Sequence, residues 1–219
     1  MKALVLTLLF VNLYFTGEFK KAKENFDESY FPVNPKKTLI YESDFGDTKF
    51  SITGSENSYT ITNKSDDFDY KQTLLRKDGK YYITKTEQDV DVFLFFSSSS
   101  KVTYNKPALR FPFPLQKGDS WKWEGYEYSE DDSTLITISG KVVGTEEITV
   151  PAGEFNCLKI ETEIGGEDES KDVVTEWLAE DVGLVKIEAQ VGKGGVVGLL
   201  QSILGLETLK FELKEIISD

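Results

Sequence analysis

Apolar and polar positions alternate with a period of two along much of the chain. Leu209, Phe211 and Leu213 alternate with Lys210, Glu212 and Lys214, and Val185, Ile187, Ala189 and Val191 alternate with Lys186, Glu188 and Gln190. Trp121 and Trp123 share one parity, opposite Lys122 and Glu124. Successive side chains of a strand point to opposite faces, so each run predicts a strand with one buried and one wet face. Turn residues separate the runs. Asp78-Gly79 and Asp181-Val182-Gly183 predict hairpin tips, and Pro151-Ala152-Gly153 predicts a tight turn between two strands. Outside the N-terminus, helical periodicity is confined to one late segment, 196–206. There Val196, Leu199, Leu200, Ile203 and Leu204 fall at i, i+3, i+4, i+7 and i+8.

The chain also echoes itself. Phe31 to Glu42 aligns without gaps on Phe113 to Glu124, each opening on Phe-Pro and closing on Glu. Proline fixes its own φ and biases the residue before it to extended geometry, so each Phe-Pro reads as a rigid entry to a strand. A second echo follows in the same order: Leu74 to Gly79 with Tyr81 to Lys85 resembles Trp177 to Gly183 with Val185 to Ala189, given one gap. The pattern predicts an all-β, antiparallel fold: a strongly curved sheet or open half-barrel of two related β-units, about 31–105 and 111–191. A final strand at about 207–216 and a short C-terminal helix or plug complete the expected single β-rich domain, 30–219.

At the N-terminus, Lys2 precedes an apolar run from Ala3 to Phe15 that is broken only by Thr7 and Asn12. A short basic start followed by about 7–15 apolar residues is the pattern of a secretory signal, here 1–17. The run is shorter than the roughly 20 residues of a membrane-spanning helix. The polar stretch 18–29 then reads as a leader. The expected destination is the periplasm or the extracellular space. No cysteine follows the run, so no lipid anchor is expected.

Composition narrows the chemistry. The 219 residues carry a formal charge of −13 and contain no histidine and one cysteine, Cys157. A nucleic-acid partner needs clustered Lys and Arg, so none is expected. Without histidine the chain lacks the commonest general base and transition-metal ligand, and a lone cysteine cannot build a thiolate zinc site. Acidic clusters at Asp66 to Asp69, Glu130 to Asp132 and Glu167 to Glu169 lack the spacing of a calcium loop and read as solvated turns. Cys157 lies in a strand-like run with no histidine to activate it, and reads as a small buried apolar residue. Gly192-Lys193-Gly194-Gly195 lacks the Gly-Lys-Ser/Thr ending of a phosphate loop. No catalytic residue, metal ligand or cofactor is expected.

The second half resembles a known family. Phe113-Pro114-Leu115 through Gly118 and Trp121, then Val150 to Ile160, then Glu176-Trp177-Leu178 to Lys186, are similar to an uncharacterised bacterial envelope family. That family is called TapB-like, or the domain-of-unknown-function family numbered 3108 with its relatives. The resemblance spans about 111–190 and reaches 30–100 only through the internal echo. It implies an exported, antiparallel, half-barrel-like sheet with no catalytic residues to carry over. Lipoprotein carriers of similar fold hold acyl chains on a concave face, which is an analogy of fold alone.

Two apolar features exceed what a single core face needs. Val92, Leu94 and Phe96 share one parity while Phe93 and Phe95 occupy the other, and 196–206 is apolar between two well-patterned strands. The residues favour a non-catalytic binding or structural module of the cell envelope, whose partner is an apolar ligand or an envelope protein. The alternative is a periplasmic carrier of an acyl or lipid-like ligand on the concave face. Its contacts would be Phe93, Phe95, Val196, Leu199, Leu200, Ile203 and Leu204, with 196–206 acting as plug, lid or docking element. A third reading, a histidine-free carboxylate hydrolase, has no pair of acids to single out.

Overall fold

A computed structural model describes residues 25–34, 36–44, 46–66, 68–91, 97–129, 132–166, 171–190 and 208–218. The alternating runs form strands where expected. Those of the barrel are β2 (Lys37–Ser43), β3 (Gly46–Ser55), β4 (Ser58–Lys64), β5 (Phe68–Lys77), β6 (Lys80–Asp91), β7 (Ser97–Pro112), β9 (Ser120–Tyr128), β10 (Ser133–Val150), β11 (Gly153–Gly165), β12 (Lys171–Ala179), β13 (Gly183–Gln190) and β14 (Thr208–Ser218). Two short strands, β1 (Asn25–Phe26) and β8 (Leu115–Gln116), pair with each other, and η1 (Glu28–Tyr30) is a single 3-10 turn.

These twelve strands close into one antiparallel barrel rather than an open half-barrel. Two six-strand meanders, β2–β7 and β9–β14, are joined at both ends. β14 pairs with β2 from Phe211↔Ser43 to Ser218↔Lys37, and β7 pairs with β9 at Thr103↔Tyr128 and Tyr104↔Glu127. At the second joint the Tyr126 N–H also donates to Asn105 Oδ1 at 3.1 Å. Closure shortens the unpaired strand edges that an open sheet would present to solvent, although the β7–β9 ladder is only two residue pairs long. Among the described residues η1 is the sole helical element, and the expected helix or plug at 196–206 lies outside them.

The echoing segments hold corresponding places. Phe31 precedes β2 and Phe113 precedes β9, each the first strand of its meander. The Asp78-Gly79 tip joins the fourth and fifth strands of the first meander, and Asp181 to Gly183 joins the fourth and fifth of the second. Asp78 and Gly79 adopt φ of 52° and 72°, and Asp181 and Gly183 adopt 59° and 93°. Left-handed backbone at a tip suits Asp and Gly better than other residues.

Strand direction sorts the barrel into two ends. One end holds the 78–79, 151–152 and 180–182 turns, and an aromatic plug seals it. Phe31 packs edge-on to Tyr81 and Phe111 at ring separations of 5.3 and 5.0 Å, and Tyr81 packs on Phe113 at 6.2 Å. The Phe113–Pro114 bond is cis. Phe26 and Leu115, paired in the small sheet, are 3% and 1% exposed and cap the plug. Residues 25–29, which sequence placed in a polar leader, are therefore folded. The Asp181 N–H donates to Ser29 O at 2.9 Å, and Glu28 forms an ion pair with Arg76.

Two glycines let large rings lie flat on the inner wall. A Cβ on Gly140 would stand 2.2 Å from the Trp121 ring, and one on Gly125 would stand 2.5 Å from Trp123. The outer wall is charged, with Lys171 on Glu163, Lys214 on Asp47 and Lys122 beside Glu124. A membrane-spanning barrel reverses this arrangement, with an apolar belt outside.

Candidate functional site

The inward parity of every barrel strand reaches a common space above the plug. This lumen holds a cavity of about 380 Å³, with lining side chains from all twelve strands. Well-packed interiors leave few voids larger than a water molecule. Small-molecule sites run about 300–1,000 Å³, so the cavity has the size of a modest ligand site. β10 to β14 supply a largely aliphatic wall, including Ile136, Ile138, Val174, Ile187 and Leu209. Phe50 and Phe68 add aromatic surface from the first meander.

The polar lining is concentrated on β4–β7. Asn63, Tyr70, Gln72, Thr86, Gln88 and Tyr104 all face the lumen there, whereas Thr162 is the sole uncharged polar lining residue of β10–β14 among those described. Strand register places these groups side by side: Asn63 opposes Tyr70, Tyr70 opposes Gln88, and Gln72 opposes Thr86. Gln72 Nε2 donates to the Tyr70 hydroxyl at 2.9 Å. Burial pushes the phenols of Tyr70 and Tyr104 up, so both keep their protons. Tyr41 is pushed up by burial and then by the negative charge of Glu176, and its hydroxyl donates to Leu184 O at 2.7 Å.

An ion pair spans the lumen between the two meanders. Arg110 of β7 donates from Nη2 to Glu176 Oε1 of β12 at 2.6 Å, with side chains 21% and 4% exposed. The guanidinium rests on the plug, 4.7 Å from the Phe111 ring centre and 5.7 Å from that of Phe31. Its planar face suits such stacking, and its desolvated charge is met by the carboxylate. Of the described side chains that line the cavity, two have an unsatisfied buried polar atom. Arg110 Nε and Asn63 Oδ1 are buried without a hydrogen-bond partner among the described residues. Glu127 of β9 also lines the cavity, and burial followed by the charge of Asp172 raises its carboxyl above the usual range.

None of the seven side chains expected to contact a ligand enters this account. Phe93, Phe95, Val196, Leu199, Leu200, Ile203 and Leu204 all lie outside the described residues. The polar wall and the ion pair went unread in the sequence. Their signal was a charge or amide on an apolar parity: Glu176 between Val174 and Leu178, and Gln72 between Tyr70 and Leu74. Cys157 is 0% exposed, and burial followed by the charge of Glu146 pushes its thiol up to about 12. No group of three or more potential metal ligands occurs among the described residues.

Comparison with known proteins gives a family to part of the chain. Residues 115–201 match the family described as DUF3108-like, as the motifs of the second half implied, and this stretch contains β9 to β13. No curated protein matches the sequence. Among solved structures, a candidate lipoprotein from Parabacteroides distasonis is similar with 13% identity and a TM-score of 0.42, covering 86% of this chain and 98% of its own. The hypothetical lipoprotein YmcC from Escherichia coli is similar with 10% identity and a TM-score of 0.40, covering 83% of this chain and 85% of its own. A candidate exported protein with a YmcC-like fold from Bacteroides fragilis shows 16% identity and a TM-score of 0.32, covering 86% and 98%. Two of these proteins are described as lipoproteins.

Proposed function

We propose that the protein is an exported, non-catalytic binding barrel that holds a largely apolar small molecule in its lumen. The observation that carries this reading is the cavity of about 380 Å³, with lining contributed by all twelve strands. Its walls are mostly aliphatic and aromatic, with a few polar groups on one side, the composition of a ligand site rather than of a packed core. The aromatic plug closes one end, so a ligand enters from the opposite end. Binding without chemistry fits the polar groups present. The phenols of Tyr41, Tyr70 and Tyr104 hold their protons, and Glu176 is engaged by Arg110. Export rests on the Lys2-led apolar run Ala3 to Phe15.

The test uses an uncharged dye, N-phenyl-1-naphthylamine, which brightens in apolar surroundings. Titration into the purified protein should give a saturable rise in emission. Val174 and Ala189 line the cavity opposite each other on β12 and β13, so Val174→Trp fills the lumen from its aliphatic side and should abolish the rise. No saturable signal in the wild type, or an unchanged signal in a folded Val174→Trp variant, would remove the reading.

A further inference from the structure

The lumen's charge is unbalanced, and the imbalance points to the charge of its ligand, an inference that rests on the lumen being a binding site. Of the acidic and basic side chains lining the cavity among the described residues, Arg110 and Glu176 neutralise each other at 2.6 Å, and Glu127 is left over. No described residue forms an ion pair or hydrogen bond with the Glu127 side chain. It is half-buried, and neither of its oxygens is among the polar atoms closed off without a partner, so an incoming group can touch them. Glu127 stands at the open end, one residue from the end of β9, opposite Tyr104 of β7 and Thr134 of β10. Asp172, one residue from the start of β12, is close enough for its charge to raise the Glu127 carboxyl. Glu176 follows Asp172 by four residues on the same parity, about 13 Å deeper at roughly 3.3 Å per residue. The neutral pair at the plug and the unpaired acid at the mouth are therefore separate. A desolvated carboxylate without a cation carries a cost that a bound cation offsets.

The chain's acidic runs bear on the same end of the barrel. The strand ends Lys64 and Phe68, Tyr128 and Ser133, and Gly165 and Lys171 all lie opposite the sealed end. In sequence, the connections between them carry Asp66-Asp67, Glu130-Asp131-Asp132 and Glu167-Asp168-Glu169. The lysines at these strand ends, Lys64 and Lys171, are already held by Asp69 and Glu163. At the sealed end, by contrast, Lys36, Lys37, Lys77, Lys80 and Lys117 stand among the acids. Charge of one sign around a low-dielectric opening raises the local concentration of the opposite charge and speeds its arrival. Approach and seat thus favour the same sign.

We propose that the lumen selects an amphiphile with a protonated amine, its ammonium against Glu127 at the mouth and its apolar body running down toward the plug. The ammonium donates to the Glu127 carboxylate and stays clear of the Arg110 guanidinium at the floor. The body lies along the aliphatic β10–β14 wall. A carboxylate head at the mouth would meet Glu127 and Asp172 as like charges, an arrangement that suppresses the wrong ligand.

Displacement of bound N-phenyl-1-naphthylamine from the full protein at neutral pH tests this. The chain-matched competitors are decylamine, decan-1-ol and decanoate, each below its solubility and micelle limits. Decylamine should displace the dye at a concentration on the order of tenfold below that of either other competitor. Glu127→Gln should bring decylamine to within about twofold of decan-1-ol. Glu124→Gln removes the same charge from the outer face of the same strand and should leave the wild-type preference intact. Circular dichroism checks that each variant is folded, and Glu127→Ala takes the place of Glu127→Gln if the glutamine variant is not. Decan-1-ol or decanoate competing as well as decylamine would overturn the inference while leaving the cavity a binding site. So would an amine preference that survives Glu127→Gln or that Glu124→Gln lowers as much. A dye that never binds would remove both.

Discussion

Removing one partner of the Arg110–Glu176 pair is the sharpest test of how the lumen is held. The Glu176 side chain is 4% exposed and that of Arg110 is 21% exposed. Two unit charges about 4 Å apart attract by about 4 kcal/mol at an effective dielectric of about 20. Desolvating each ion costs several kcal/mol, so the intact pair is close to neutral for stability. A single substitution loses the attraction and keeps one desolvation cost. Arg110→Met should therefore destabilise by about 3–5 kcal/mol, since it strands the more buried charge. Glu176→Leu should sit at or below the lower end of that range, because water reaches part of Arg110. The double variant Arg110→Met/Glu176→Leu has two apolar residues of similar volume and should lie within about 1 kcal/mol of the wild type. Urea unfolding followed by tryptophan emission measures all four proteins. With a urea slope of about 2–3 kcal/mol per M, a loss of about 4 kcal/mol moves the midpoint by roughly 1.3–2 M. If the single variants cost less than about 1 kcal/mol, or the double variant falls to the sum of the two, the pair is not a buried unit and the account of the lumen's charge is wrong.

Two further outcomes follow from the buried titratable groups. Glu127 has a carboxyl raised by burial and by Asp172, so its folded state binds a proton more tightly than its unfolded state. The group's penalty is then full above its folded pKa and fades as pH falls through that value toward the unfolded one. Glu127→Gln should raise the melting temperature at pH 7–8, and the gain should shrink as pH falls toward the ordinary carboxylate range; a gain that grows on acidification would contradict this. Cys157, with its thiol pushed up to about 12, should react very slowly with a disulfide reagent at pH 8 in the native state and rapidly in urea. Its replacement by serine should cost about 1–2 kcal/mol, and fast native labelling would show the thiol to be exposed.

The strand faces were readable from sequence because a period of two assigns every residue of a strand to one side or the other. Leu209, Phe211 and Leu213 line the inside of β14, and the Asp78-Gly79 and Asp181 to Gly183 tips turn where their residues tolerate positive φ. Closure was not readable. The pairing that seals one joint brings Phe211 to Ser43, and alternation specifies a face without specifying which distant strand lies beside it. Arg110 was hidden for a different reason. From Thr103 to Phe111 both parities mix apolar and polar residues, so no inner face stands out. Glu176 could have been found, since a lone acid on the parity of Val174 and Leu178 must be either an error of register or a buried charge with a partner.

The two meanders do the same structural work with different lumen chemistry, and this difference favours the proposed ligand site over an incompletely packed core. Their similar segments lie in the Phe-Pro entries and the hairpin tips, which belong to the sealed end, where turn geometry and aromatic packing constrain both alike. Above the plug they diverge, with amides and hydroxyls on β4–β7 and aliphatic side chains on β10–β14. A barrel needing only a filled interior would gain from apolar residues on both walls, because each buried amide must find a partner or carry a cost of about 1–3 kcal/mol. Among the described residues Asn63 and Arg110, which line the cavity, carry that cost at Oδ1 and Nε, as do Trp121 and Trp123 at Nε1 nearby. Replacing Asn63 by leucine tests that cost directly: thermal unfolding should show the variant more stable than the wild type, and a loss of stability would show that the amide is satisfied in the folded protein.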